Sequence, residues 1–155
     1  LHWGVGFDKT TNQTNKGEDD MGLDQYAGFR DSKGEVHDTF YWRKHSRLQV
    51  FFAGWYEEQN KGQTQKLENN TIDDLQHLGF NGGQGGVKIT EDLVNHLDKE
   101  RKEGYPNCVA EDGFFWGQQF QKDAVKEYKA QDEEFVKWCR EQLALGKDIA
   151  YDCSW

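Results

Sequence analysis

This 155-residue chain lacks any apolar run long enough to span a bilayer, and its first residues lack the basic-then-apolar order of a signal peptide. Its three cysteines, Cys108, Cys139 and Cys153, form neither a CxxC pair nor an even set. A disulfide framework is therefore disfavoured, and reduced thiols in a cytoplasm are the expectation. Metal ligation is served no better, because His2, His37, His45, His77 and His96 give no HxxxH or HxH spacing. No metal or other cofactor is expected. The glycines of Gly82-Gly83-Gln84-Gly85-Gly86 precede a strand instead of opening a helix, so the run reads as a connection and not as a phosphate-binding loop. Cys153 and Ser154 have no recognisable histidine and oxyanion partners, which leaves a nucleophilic mechanism without support.

Aliphatic residues are scarce too. Leu, Ile, Val and Phe total 31, close to the compositional boundary of disorder. Six Trp and six Tyr join the ten Phe and resolve the question, since each buried aromatic is worth roughly 4 to 6 kcal/mol of transfer energy as an upper estimate. A folded domain with an aromatic core follows. The formal net charge of −9 opposes binding to nucleic-acid phosphates and to anionic membrane surfaces, although a local basic spot still suits an anion.

Periodicity places a polar arm over residues 1–20 and one globular domain over 21–155. Leu23, Gln25, Ala27 and Phe29 alternate with Asp24, Tyr26 and Gly28, and Asp31-Ser32-Lys33-Gly34 follows with turn chemistry, predicting a β-hairpin. Thr39 is placed to cap a helix from about Phe40 to Asn60, with Leu48, Phe51, Phe52, Trp55 and Tyr56 on one face. Residues 61–78 are polar, with at most a short helical turn near Ile72 to Leu78. Val87 to Ile89 predicts a strand, Thr90 caps a helix with Leu93 and Leu97 inward, and Gly104 stops it. Gly113 to Phe120 predicts a buried strand, Lys122 to Leu145 a third helix, and Lys147 to Trp155 a closing strand. The class is α+β: a small, mainly antiparallel sheet covered by about three helices.

Phe40-Tyr41-Trp42-Arg43-Lys44-His45 concentrates three aromatics, two fixed cations and an imidazole. Aromatic faces, a guanidinium fork and an ammonium are the parts that hold an anionic or planar ligand, and a helix N-terminus beside them adds free N–H groups. Helical spacing does not let all six enter one pocket. The plainer reading, of equal weight, has Tyr41 or Trp42 packed inward and Arg43 and Lys44 solvated. His45 is the best acid–base candidate, with Asp24 as its carboxylate. Tyr151 and Trp155 either pin the last strand to the core or wall a pocket with Trp116 and Trp42.

Met21-Gly22-Leu23-Asp24-Gln25-Tyr26-Ala27, the Phe40 to His45 segment, Gly113-Phe114-Phe115-Trp116-Gly117 and the closing Tyr151-Asp152-Cys153-Ser154-Trp155 together resemble a group of small proteins of tailed phages, cyanophages prominently, and of some bacteria. Members of that group resemble one another in a Met-Gly-Leu-Asp-x-Tyr start, Tyr-Trp-Arg-Lys, Phe-Phe-x-Gly and a final Ser-Trp or Trp-Trp. The likeness covers Met21 to Trp155; this chain departs from it in the twenty residues before Met21, in Trp116 and in a longer polar insertion at 61–78. It implies a viral accessory protein of the host cytoplasm and carries no activity. The leading expectation is a protein without chemistry of its own that binds a small anionic or aromatic molecule, or a host protein. Asp24, Tyr26, Tyr41, Trp42, Arg43, Lys44, His45, Trp116, Tyr151 and Trp155 are its contact residues. The alternatives are a hydrolase or transferase of a phosphorylated metabolite using His45, and an acidic mimic of nucleic acid.

Overall fold

A turn at Asp31 organises the first hairpin. Its Oδ1 accepts from the backbone N–H groups of Lys33 and Glu35, and Gly34 takes the left-handed conformation (φ 84°) that only glycine enters without strain. In this computed structural model, which describes residues 22–60, 64–66, 72–74, 82, 85–110 and 117–154, strand β1 (Asp24–Phe29) pairs antiparallel with β2 (Phe40–Arg43). The bridge Arg30–Val36 extends the pairing toward the turn. Gly28 is required at the bend between the two, because a Cβ there would lie 1.6 Å from the His37 carbonyl oxygen.

The expected helix from Phe40 is thus corrected. Phe40 and Trp42 face the core while Tyr41 and Arg43 face out, a period of two that belongs to a strand. Lys44 turns the chain in a left-handed conformation (φ 60°), and helix α1 (Ser46–Gln59) begins only after His45. Strands β3 (Thr64–Lys66) and β4 (Ile72–Asp74) form a separate antiparallel pair, so the start of the proposed helical turn near Ile72 is strand instead.

Strand β5 (Val87–Lys88) leads into helix α2 (Glu91–Lys102), capped as expected by Thr90 Oγ1, which accepts from the Leu93 N–H. Helix α3 (Gln118–Glu127) occupies Gln118 to Phe120, where a strand was expected. The single helix foreseen over Lys122 to Leu145 is broken at Tyr128, and α4 (Lys129–Ala144) follows. Strand β6 (Ile149–Ser154) lies inside the sheet, whose order is β2-β1-β6-β5 with every pairing antiparallel. The fold is α+β: among the described residues, four helices pack with a four-stranded antiparallel sheet.

Aromatic rings fill the space between sheet and helices. Trp42 meets Phe135 of α4 edge-on with centroids 4.9 Å apart, and Phe52 of α1 stacks on Tyr151 of β6 at 3.9 Å. Two glycines of the run permit close backbone approach: a Cβ on Gly82 would lie 2.0 Å from the Cys153 carbonyl oxygen, and one on Gly86 would meet the Tyr151 carbonyl oxygen, whereas Gly85 faces open space. The outer edge of β2 is also closed. Gln131 Nε2 donates to the Tyr41 carbonyl, and the Tyr128 hydroxyl accepts from the Arg43 N–H and donates to the Arg43 carbonyl. The arm at 1–20, Gly113 to Trp116 and Trp155 lie outside the described residues.

Candidate functional site

The pleat of β2 divides the predicted residues into two populations. Trp42, His45 and Tyr151 have no exposed surface. Asp24, Tyr26, Tyr41 and Arg43 stand on the opposite face of the sheet, where register sets Asp24 beside Arg43 and Tyr26 beside Tyr41. The cavity expected to join Trp42, His45, Tyr151, Trp116 and Trp155 therefore does not include the first three, which are sealed in the interior; Trp116 and Trp155 lie outside the described residues.

Inside, the partner of His45 is Asp132 of α4 and not Asp24. Asp132 is 3 % exposed and accepts three hydrogen bonds: from Trp42 Nε1 at 2.8 Å and from the Tyr105 hydroxyl at 2.7 Å, with His45 Nε2 at 2.9 Å completing the set. Gln25 ties the same histidine by its backbone, its Oε1 accepting from the His45 N–H and its Nε2 donating to the His45 carbonyl. Gln25 Nε2 also donates to the Tyr151 hydroxyl, which in turn donates to Gln49 Oε1. Burial first, then the neighbouring Asp132, pushes the Tyr105 phenol well above its ordinary value, and burial does the same for Tyr151. These groups knit strand, turn and helix together. With no route to solvent they offer no acid–base surface to a substrate.

Sequence reading missed Asp132, Tyr105 and Gln25. The signal for Asp132 was present: it falls three, four and seven positions before Phe135, Val136 and Cys139, a carboxylate on the buried stripe of a helix. Arg47 was also missed. At 7 % exposure it donates to Gln121 Oε1, the Gly104 carbonyl and Gln118 Oε1, fastening α1 to α3 and to the end of α2.

Outside, Asp24 accepts from the Tyr41 hydroxyl at 2.5 Å and lies 3.5 Å from Arg43 Nε. Burial and the bond to Asp24 raise the Tyr41 phenol, and burial with Asp152 nearby pushes Tyr26 up to about 12, so both stay neutral hydrogen-bonding groups near pH 7. From this face Arg43 reaches round to a groove of about 280 Å³ lined by Arg43, Lys44, Phe120, Asp123, Ala124, Glu127 and Tyr128. Phe120, Asp123, Ala124 and Glu127 recur at the spacing of one helical face, so α3 supplies a whole wall. The turn at Lys44 supplies the other.

Tyr128 connects the two populations. It lines the groove, its hydroxyl grips the Arg43 backbone, and its ring stacks on His45 with centroids 5.3 Å apart and planes 10° from parallel. The break between α3 and α4 falls at this residue, which allows its ring to lie there. No group of three or more His, Cys, Asp or Glu among the described residues is arranged to hold a metal ion, and no helix among them is long and apolar enough to cross a membrane. Comparison of the chain with known protein families, curated proteins and solved structures finds no match.

Proposed function

We propose that this chain is a binding protein without chemistry of its own, and that it takes a small molecule with an anionic group and a ring in the groove between the Lys44 turn and α3. The observation that carries the reading is the sorting of side chains described above. Two cations and two aromatic rings, those of Phe120 and Tyr128, border an open groove, while the histidine suited to proton transfer is closed off from it. Catalysis through His45 is disfavoured, since a general acid or base must come within hydrogen-bond reach of its substrate. Mimicry of nucleic acid is disfavoured too. Helices α2, α3 and α4 carry four acidic and three basic, two and two, and, with Asp132 buried, three and three residues at their surface, charges that interleave instead of forming rows of one sign. The resemblance to tailed-phage proteins adds an accessory role in the host cytoplasm to this proposal.

A thermal-shift screen of nucleotides, sugar phosphates, aromatic acids and amino acids tests the reading. At least one class should raise the melting temperature, and Arg43→Ala and Lys44→Ala should reduce that rise. A screen in which nothing binds, or in which both variants respond like the parent, would overturn it.

A further inference from the structure

We infer that the ligand of this groove is a small zwitterion bearing an aromatic ring, with the size and charge pattern of a free aromatic amino acid. The inference rests on the binding reading above and narrows its ligand class. Three observations converge on it.

The first is size. At about 280 Å³ the groove lies at the small end of the roughly 300–1,000 Å³ of ligand pockets, a size that a compound of a single ring fills. The second is charge. Arg43 and Lys44 stand on one side, and Asp123 and Glu127, one helical turn apart on α3, stand on the other. A phosphate would gain from the cations and be repelled by both carboxylates; a plain amine would meet the reverse. A molecule carrying one charge of each sign is complementary to both walls, even with Arg43 also facing Asp24 at 3.5 Å on its other side. The third is the apolar part. Phe120 is 41 % exposed at the rim, Ala124 is buried on the same helical face, and Tyr128 presents its ring, so a flat ring has surfaces to lie against.

Lys44 stands at a strained turn, as Tyr105 does in the core. Its left-handed backbone is unfavourable for any residue with a side chain, and the turn keeps a lysine where glycine would fit without strain. That conformation sets the direction in which the Lys44 side chain leaves the backbone.

Titration of the ¹⁵N-labelled full chain by NMR tests the assignment, with L-phenylalanine and L-tryptophan as probes. The matched controls are 3-phenylpropionate, phenethylamine and inorganic phosphate. The amino acids should shift the amides of Lys44, Ala124 and Tyr128, and each analogue lacking one charge should bind about fivefold more weakly, the scale of one solvent-exposed ion pair. Lys44→Gln should weaken phenylalanine by a similar factor and strengthen phenethylamine, which the lysine otherwise repels; Asp123→Asn should weaken phenylalanine and strengthen 3-phenylpropionate. If 3-phenylpropionate or phosphate binds as tightly as the amino acids, the zwitterion is refuted and the groove remains a binding site. If no probe of any class moves those amides and the wider screen is also blank, both readings fall.

Discussion

Replacing Asp132 by alanine should cost this protein a large share of its stability. The carboxylate accepts from Trp42 Nε1 and the Tyr105 hydroxyl and bonds His45 Nε2, all three residues being buried. Removing it strands three polar groups in a dry interior, at about 1–3 kcal/mol each. Part of that is recovered if water enters the vacated space, and alanine is the better helix former by about 0.5 kcal/mol. A net loss of about 3–5 kcal/mol remains, against a total of about 5–15 kcal/mol for a domain of ordinary stability. Asparagine is the informative control. The indole can only donate, so the amide oxygen must face Trp42, which turns the amide N–H groups toward His45 and Tyr105. Both can accept, provided His45 carries its proton on Nδ1, an atom with no partner in the fold. Asp132→Asn should therefore lose only about 2 kcal/mol. Urea unfolding followed by tryptophan fluorescence gives both values, with the slope m unchanged if the denatured state is the same. An alanine variant within 1 kcal/mol of the parent, or an asparagine variant less stable than alanine, would refute the assignment of Asp132 as the acceptor that organises this core.

Gly28→Ala should destabilise by more than about 2 kcal/mol, because the added Cβ meets the His37 carbonyl and the hairpin must open to admit it; an unchanged urea midpoint would contradict the close approach. Lys44→Gly should raise stability by about 0.5–1 kcal/mol by relieving the left-handed backbone while weakening binding in the groove, so calorimetry and ligand titration should move in opposite directions. The Arg30 hydrogen bond and charge hold Asp148 below the usual carboxylate range; Asp98 is also lowered, Lys102 and Arg101 outweighing the effect of its burial. Carboxyls depressed in the fold stabilise it above the unfolded value, and that stability is lost as pH falls below about 4 through the depressed values. Arg30→Gln should flatten the acid limb of the stability curve, and an unchanged limb would exclude Asp148 as a contributor. Burial pushes the Cys108 thiol up to about 12 and Cys139 higher, so iodoacetamide at pH 8 should label neither until urea is added; rapid native labelling by mass spectrometry would show the thiols to be accessible.

Local chemistry made part of this fold legible. Asp31 and Gly34 announce their turn, Thr90 and the two acids after it announce α2, and the alternation in β1 is plain. Phe40 to Arg43 misled because no glycine or proline separates them from the apolar face of Leu48 to Tyr56, while Thr39 imitates a cap. What makes them a strand is pairing with Asp24 to Ala27, a tertiary fact. The break at Tyr128 has no glycine or proline to mark it and depends on hydrogen bonds to Arg43. For the site, residue chemistry picked out Arg43 and Lys44. Whether a neighbour such as Trp42 or His45 pointed in or out hinged on the strand-or-helix decision, because one changes sides at every residue and the other sweeps round by 100°. The α3 wall contributes Asp123 and Glu127, ordinary surface charges in sequence that gain meaning only from what they face.

The central place of β6 bears on how the protein is made. While the ribosome is still extending the chain, the β1–β2 hairpin has neither β6 along its inner edge nor α4 over its aromatic side, so Ala27 waits for Tyr151 and Trp42 waits for Asp132. A nascent hairpin in that condition offers an unpaired strand to any neighbour, and its rings to a chaperone. Completion of the sheet is a long-range event, which slows folding and leaves fragments stopping short of β6 prone to aggregate.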